Sequence, residues 1–282
     1  MKKPSVSLCL CAIGLFLAFS CKKSNSGNNS PVAASSYVSS VVFYASLQKT
    51  VDSFYYDSTH LLDTFTQTTY DTSGTNYFYD SYTVRFIYQS PNTFPSYYYM
   101  YDVTKGNYGD YHLLSYDGQG RISKDTSLSG SGYVTYYSYP NNNIAAIDLP
   151  EGNVQDNTMD TFYITNENVS SYAIYASVIP NQPDIQQIYA QNIYTSVANP
   201  VYHTAITSTI GPLLNNIEYT NGVAFMDFLS KNAIDQVSGL NDNSSLPDFS
   251  FGYTQTLDNK GRLSKLTESP GSNAGNYVFS YY

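Results

Sequence analysis

Short runs of β-branched and aromatic residues alternate with clusters of turn-forming residues from Tyr37 to the end of the chain. The run Tyr82–Tyr88 is a good example of a strand by residue type. Turn clusters recur at intervals of roughly 8–15 residues, which is typical of all-β meanders, sandwiches and barrels. The pattern predicts an all-β fold, an antiparallel meander of hairpins that forms either an open curved sheet or a barrel-like sheet. The strand candidates are Val41–Tyr44, Tyr77–Tyr88, Ser96–Val103, Tyr108–Ser115, Gly132–Tyr137, Thr161–Thr165, Ser171–Val178, Asp184–Tyr194 and Gly275–Tyr281.

The segment Asn199–Gly239 departs from this pattern. Its apolar residues recur at roughly helical spacing between prolines and glycines, so it predicts one or two short helical turns packed on the sheet. The residues that carry the helical spacing are Ile206, Ile210, Leu213, Leu214 and Ile217, with Val223, Phe225, Phe228 and Leu229 following more weakly. The next segment, Leu240–Phe249, is predicted to be a loop.

One turn motif occurs twice, with the pattern Asp-x-x-Gly-Arg followed by an aliphatic residue, serine and lysine. Such a loop suits a type I turn in which the carboxylate accepts backbone N–H groups and the glycine adopts a positive φ. The arginine begins the return strand, where it can pair with an acidic side chain or stack on an aromatic ring. We interpret the motif as structural and not as a catalytic site. The two copies consist of Asp117, Gly120 and Arg121, and of Asp258, Gly261 and Arg262.

Two other segments resemble degenerate copies of this turn. In Ser53–Phe65, Asp57 matches the aspartate and His60 replaces the glycine. In Tyr139–Ile147, Asn143 is the residue predicted to adopt the left-handed conformation.

The strands that follow the two clean copies carry aromatic residues on both faces. Tyr133, Thr135 and Tyr137 share one face, whereas Val134 and Tyr136 share the other. Either both faces are partly covered or one of them is an exposed aromatic surface. The 31 tyrosines of the chain fit two interpretations: aromatic platforms that stack on sugar rings, or amphipathic strand residues with a buried ring and a hydrated hydroxyl.

The N-terminus has the features of a secretory signal. Lys2 and Lys3 precede the apolar stretch Val6–Phe19, which is too short for a stable membrane span. The sequence Ala18–Cys21 is similar to a bacterial lipobox, and this resemblance implies that Cys21 is acylated and anchors the chain to a membrane. We therefore predict a signal peptide at 1–20, a flexible tether at 21–36 rich in serine and asparagine, and a single β-rich domain at 37–282.

Charge and cysteine content exclude several classes of protein. The formal net charge is -9 and no basic patch is present, which disfavours nucleic-acid binding. The three cysteines are Cys9, Cys11 and Cys21, and the first two leave with the signal, so no disulfide framework is expected.

No catalytic or metal-binding motif stands out, and we expect neither an enzyme nor a cofactor. The three histidines, His60, His112 and His203, lie in no recognisable motif, and the nucleophile elbow Gly-x-Ser-x-Gly is absent. Metal-ligand spacing of the His-Glu-x-x-His type is also absent. Paired carboxylates for glycan hydrolysis depend on distance in space, so a glycan-active hydrolase stays open as a third hypothesis.

The segment Tyr116–Ile122 resembles the YD hairpin repeat of Rhs-type shells. The lipoprotein-like signal, together with the closing motif Asp258–Lys265 and a tyrosine-rich final strand, is similar to a group of uncharacterised Bacteroidetes lipoproteins with an open, porin-like or YD-like β-sheet. The resemblance implies an outer-membrane lipid anchor. In that group, surface export goes with acidic residues after the lipid cysteine, whereas Lys22 and Lys23 follow it here, which favours the periplasmic face.

These features together predict a non-enzymatic cell-envelope lipoprotein that is held to the membrane by its lipid. It would serve as a binding or structural module for a glycan or a protein partner. The alternative is an outer-membrane β-barrel or pore, which the many strands favour. The lack of a clear lipid-facing apolar alternation of about ten residues speaks against that alternative.

Overall fold

The structure of the protein is a computed structural model. It describes residues 37–44, 47–71, 78–89, 93–128, 133–150, 158–176, 185–202, 211–214, 229–241, 249–269 and 275–282. All of these residues belong to one compact unit, Ala33–Tyr282. The predicted signal peptide, the tether and Cys21 lie outside the described residues.

Sixteen strands run through the described ranges, and short helical turns lie between some of them. A 3-10 helix spans Pro140–Asn142, and residues 200–202 and 211–214 are α-helical. The strands are β1 (Val38–Tyr44), β2 (Gln48–Tyr56), β3 (Leu62–Asp71), β4 (Phe78–Tyr88), β5 (Pro95–Asp102), β6 (Asn107–Tyr116), β7 (Ile122–Ser127), β8 (Tyr133–Ser138), β9 (Ile144–Pro150), β10 (Thr158–Thr165), β11 (Asn168–Ala176), β12 (Ile185–Ala198), β13 (Asn232–Asn241), β14 (Phe249–Leu257), β15 (Leu263–Ser269) and β16 (Asn276–Tyr281).

The strands form one antiparallel meander that closes on itself. Each strand pairs with the next along the chain, and β1 pairs with both β2 and β16, so the hydrogen-bonded order is that of a closed barrel. The β1–β16 ladder runs from the pair Val38 and Tyr281 to the pair Tyr44 and Asn276. The predicted all-β antiparallel meander with short helices is confirmed, and the structure selects the barrel-like form.

Burial alternates along the strands because successive side chains point to opposite faces of a sheet. In β2, Thr50, Asp52 and Phe54 are buried, whereas the side chains between them, such as Val51 and Ser53, are more exposed. The buried face is the interior of the barrel. Its apolar residues form a single core with contributions from most strands, including Phe54 and Phe65, whose rings lie 5.3 Å apart.

Helical residues between β12 and β13 also pack in this core. Val201, Leu213 and Leu214 are buried in the same cluster as the strand residues. The prediction of short helical turns packed on the sheet agrees with this part of the segment, whereas Ile206, Ile210, Ile217, Val223, Phe225 and Phe228 lie outside the described residues. No helix in the described part of the chain is long and apolar enough to cross a membrane.

The segment Asn199–Gly239, which we expected to depart from the strand pattern, also contains most of β13, which starts at Asn232. Ile234 and Val237 are three residues apart, which fits a helix as well as a strand with an irregularity. Hydrogen-bonded pairing with β12 and β14 makes this segment a strand. The β12–β13 ladder contains the register shifts that such spacing requires. The predicted loop Leu240–Phe249 is also shorter than expected, since its ends belong to β13 and β14.

A tyrosine hydroxyl fixes one edge of at least five hairpins. Each tyrosine lies at or next to the last residue of an even-numbered strand, and it donates to the backbone carbonyl of the first residue of the preceding strand. This recurrence shows that the barrel is assembled from similar two-strand units. The bonds run from Tyr56 to Val38 (3.1 Å), Tyr88 to Leu62 (2.9 Å), Tyr116 to Pro95 (2.7 Å), Tyr139 to Ile122 (2.8 Å) and Tyr281 to Leu263 (2.6 Å).

Candidate functional site

The first copy of the repeated turn joins β6 to β7 and is closed by its own side chains. The Asp117 carboxylate accepts the backbone N–H groups of Gln119 and Arg121, both at 2.9 Å. The Arg121 guanidinium donates to the same carboxylate from Nε at 2.8 Å and Nη2 at 2.7 Å. It also stacks 3.9 Å above the centre of the Tyr139 ring. These bonds, led by that from the Arg121 backbone N–H, lower the pKa of Asp117 below its ordinary value.

The second copy, between β14 and β15, repeats this arrangement. Asp258 accepts backbone N–H groups from Lys260 and Arg262 at 2.8 and 2.9 Å. The Arg262 guanidinium pairs with Asp258 at 2.8 Å and lies 4.0 Å from the centre of the Tyr281 ring. In both copies the donors and acceptors are used within the turn, so the six predicted turn residues come together in two structural hairpins.

Of the predictions for the two degenerate copies of the turn, the structure agrees with the one for His60 and contradicts the one for Asn143. His60 adopts a φ of 66°, as its place in the motif requires, and its ring stacks on Tyr37 with centroids 5.2 Å apart. The prediction for Asn143 is wrong: Asn141 takes the positive φ of 52°, whereas Asn143 is extended at a φ of -82°. A proline at the start of this turn forms a short 3-10 helix that shifts the left-handed position, and Asn143 Oδ1 instead accepts the N–H of Ile164 at 3.0 Å.

The two turn glycines allow a matched prediction. Both have a φ of 76°, but a Cβ on Gly120 would come within 2.7 Å of the Phe94 ring, whereas a Cβ on Gly261 would meet nothing within 4 Å. We expect Gly261→Ala to cost about 1–2 kcal/mol for the left-handed conformation alone. Gly120→Ala should cost about 1–3 kcal/mol more because Phe94 must move.

Urea unfolding of both variants measures this difference. In the double variant that combines Gly120→Ala with Phe94→Ala, the additional loss of stability caused by the Phe94 contact should disappear. The loss caused by the left-handed backbone conformation should stay. Equal losses in the two alanine variants would contradict a role for Phe94.

A polar cluster inside the barrel joins β5, β6 and β7. The His112 ring lies between two carboxylates, with Nδ1 2.8 Å from Asp125 and Nε2 3.3 Å from Asp110. Asp125 also accepts the Tyr98 hydroxyl at 2.7 Å, and Asp110 accepts the Ser127 hydroxyl at 2.6 Å. The rings of Tyr98 and His112 stack with centroids 4.4 Å apart. Burial, followed by the Asp125 charge, raises the pKa of Tyr98 well above its ordinary value.

The strand register brings these side chains together. Tyr98, His112 and Ser127 are direct partners across β5, β6 and β7, and all three point inward. This cluster was not predicted from the sequence, because its members lie on three strands and match no motif. The available signal was an alternation that places His112 and Asp110 on the same face of one strand.

The cluster has the chemistry of a structural network and not of a nucleophilic site. The Ser127 hydroxyl donates to a carboxylate, and the histidine that would activate a nucleophile is engaged by two aspartates. Among the described residues, no group of three or more histidine, cysteine, aspartate or glutamate side chains is arranged to hold a metal ion. Of the other histidines, His60 is a turn residue and His203 lies outside the described part.

Asp52 is a second buried carboxylate with a different environment. It is 1 % exposed, and its Oδ1 accepts the Gln67 amide at 2.9 Å. Its Oδ2 has no hydrogen-bond partner among the described residues. Burial raises the pKa of Asp52 to about 7, since the Gln67 hydrogen bond offsets only part of the lost hydration.

The outer face of β4–β8 presents aromatic side chains to solvent, and we call it the aromatic face. Arg85, Tyr99 and Tyr111 form one row of cross-strand partners, and the two tyrosine rings lie 5.8 Å apart. Tyr111 and Leu113 are 42 % and 47 % exposed. This surface is the candidate binding site of the protein. Its members are Arg85, Tyr97, Tyr99, Tyr111, Leu113, Lys124 and Tyr136.

The chain matches no protein-family model and no curated protein. Its fold is similar to that of a porin-like protein from Bacteroides uniformis, with a TM-score of 0.52 and 15 % sequence identity over 88 % of this chain and 100 % of that one. A porin-like protein from Bacteroides vulgatus gives a TM-score of 0.39 at 10 % identity, over 87 % of this chain and 98 % of that chain. A complex of TcdB2, TccC3 and Cdc42 gives 0.31 at 10 % identity, over 84 % of this chain and 14 % of that chain. The first likeness supports the porin-like β-fold, and the other two scores are too low to bear on it.

Proposed function

We propose that the protein is a non-enzymatic binding module of the cell envelope, a filled barrel held to the outer membrane by a lipid on Cys21. The aromatic face is its binding surface, and the partner is an envelope component. The signal-like N-terminus and the lipobox-like Ala18–Cys21 support the anchor. Lys22 and Lys23 after that cysteine support the periplasmic face.

The observation that carries this proposal is the distribution of polarity across the barrel wall. Phe54, Phe65, Val84 and Ile122 are all 0 % exposed inside the barrel. Outward positions on β2 and β3 alternate with the buried ones and are mostly hydroxyl-bearing or charged. They include Lys49, Ser53, Thr64, Thr66 and Thr68.

A transmembrane pore has the opposite arrangement. Its lipid-facing side chains form an apolar band and its interior is polar. Here the threonine-rich outer wall of β2 and β3 suits water, and the apolar core, with the helical residues Leu213 and Leu214 packed into it, lies in the interior. The geometry therefore favours a tethered, water-exposed module over the pore alternative.

The anchor has a direct test in cells. Cys21→Ser should move the protein from the membrane fraction to the soluble periplasmic fraction, because the lipid is the proposed attachment. A matched Ser20→Ala change leaves the cysteine in place and should keep the protein on membranes. Cys21→Ser protein that resists extraction with sodium carbonate would show that the barrel itself is embedded, and the proposal would be withdrawn.

A further inference from the structure

We infer that one end of the barrel is a membrane-facing surface, and that its partner is the headgroup layer of the lipid bilayer. This is the end at which the even-numbered strands finish, and we call it the turn end. The inference rests on the proposed function, because it takes the lipid on Cys21 as the anchor. It adds which surface of the folded domain that anchor brings to the bilayer.

The strand order places the start of the folded chain at the turn end. In an antiparallel meander, each odd-numbered strand begins at the end of the sheet where the preceding even-numbered strand finishes. β1 pairs antiparallel with both β2 and β16, so it begins where these two strands finish. The entry point of the chain therefore lies at the same end of the barrel as the repeated turns. These turns are residues 57–61, 117–121 and 258–262.

Contacts of Tyr37 fix the chain at this entry point. Its ring stacks on that of His60, with centroids 5.2 Å apart, and lies edge-on to that of Tyr56 at 4.9 Å. Its backbone carbonyl accepts the N–H of Tyr282 at 3.2 Å. The residue is 8 % exposed, so it is part of the folded domain. The chain that precedes Tyr37 must therefore leave the barrel from the turn end.

The predicted tether is short compared with the barrel. It consists of the 16 residues 21–36. A flexible chain of this length has a root-mean-square end-to-end distance of about 20–24 Å. Strand β6 runs from the opposite end of the barrel to the turn end with 10 residues. At the usual rise per residue it is about 33 Å long. The tether therefore holds the turn end closer to the bilayer than the opposite end.

The charges of the turn end also suit a lipid surface better than those of the opposite end. Among the described residues of the turn end, three ion pairs neutralise carboxylates, and the exposed Lys260 offsets Asp57. The pairs are Asp117 with Arg121, Asp258 with Arg262, and Glu167 with Lys231. The opposite end carries more acidic than basic side chains, with Asp71, Asp80, Asp102 and Glu268 against Lys49 and Lys105. A bilayer that contains anionic lipids repels such an end.

An end-on placement keeps the aromatic face available to a partner. Tyr99 and Tyr111 lie in the middle of β5 and β6, on the side wall of the barrel. When the turn end faces the headgroups, this wall stands away from the bilayer and is exposed to water. A barrel lying on its side would bring part of the wall against the lipid instead.

The test measures energy transfer from a dye on the protein to a headgroup-labelled lipid. Full-length lipidated protein is placed in vesicles of phosphatidylethanolamine and phosphatidylglycerol. The dye is attached through Gln119→Cys or Lys105→Cys, which are exposed positions in the turns at the two ends of β6. Cys9 and Cys11 leave with the predicted signal and Cys21 carries the proposed lipid, so the introduced thiol is the one that reacts. We expect transfer from Gln119→Cys to be at least about twofold more efficient, because β6 separates the sites by about 33 Å.

Equal transfer from the two sites, or more efficient transfer from Lys105→Cys, would overturn the inference. Flotation of the vesicles distinguishes this failure from failure of the proposed function. Protein that does not float with the vesicles would contradict the anchor, and the inference would fall with it. Equal transfer from protein that does float would leave the anchor and the Cys21→Ser fractionation unaffected and would contradict the membrane-facing end alone.

Discussion

Asp125→Asn is expected to lower the free energy of unfolding by about 2–3 kcal/mol, the upper part of the range for leaving a buried hydrogen-bonding group without its partner. The Asp125 carboxylate accepts from the Tyr98 hydroxyl and faces His112 Nδ1, and the residue is 4 % exposed. Asparagine keeps the shape but puts an NH2 group against one of those two donors. The buried cluster would then hold an unpaired donor and lose the charge that faces the imidazole.

The matched control is Asp110→Asn on the other side of the same ring. Asp110 lies farther from His112, at 3.3 Å, and its side chain is 20 % exposed. Water can compensate part of its loss, so we expect a cost of about 1–2 kcal/mol. Urea unfolding at pH 7 compares the two variants. Similar losses of unfolding free energy in Asp125→Asn and Asp110→Asn would contradict the expectation that the deeper burial of Asp125 makes its hydrogen bonds more stabilising.

Asp52→Asn is expected to act in the opposite direction and to stabilise the protein at pH 7 and above. The ordinary pKa of an aspartate is 3.8, and burial raises that of Asp52 to about 7. Between these two pH values the unfolded chain has released the proton that the folded protein still holds. The folded form is therefore favoured at low pH, and wild-type stability should fall as the pH rises from about 4 to about 7 and then level off.

Asparagine removes this titration and keeps an oxygen for the Gln67 amide. The slope of stability against pH that comes from residue 52 should disappear. The gain over wild type above pH 7 is at most about 4 kcal/mol, reduced by the cost of the new buried NH2 group. Urea unfolding of both proteins at pH 4, 5.5, 7 and 8.5 measures it. Parallel pH profiles would show that Asp52 does not carry the shifted titration.

The local geometry of the repeated turns was predictable from the sequence. Asp-x-x-Gly constrains a few consecutive residues, and the carboxylate reaches the N–H groups of its own loop at both Asp117 and Asp258. The Asn143 prediction failed at a turn where Pro140 begins a 3-10 helix. In that turn, competing local conformations lie close in energy, and the contact with Ile164 on β10 favours one of them.

Strand existence was also largely predictable, because β-branched and aromatic runs record the burial of one face. The strand β13 was not predicted, and its buried residues Ile234 and Val237 lie in the segment Asn199–Gly239 that departs from the strand pattern. Their spacing fits either structure, and only the ladders to β12 and β14 make the segment a strand. Whether the sheet stays open or closes depends on the contact between the first and last strands, which lie far apart in sequence.

The candidate sites also separate into those that local sequence predicts and those that depend on tertiary structure. The sequence by itself determined the all-β meander, the turn residues and the excess of tyrosine, because these depend on local conformation and on alternation along one strand. The tertiary structure decided which residues meet across strands: the His112 cluster, the Phe94 ring over Gly120, and the aromatic face around Arg85. Cross-strand register sets those meetings, and a one-residue slip would turn each of these side chains to the other side of the wall.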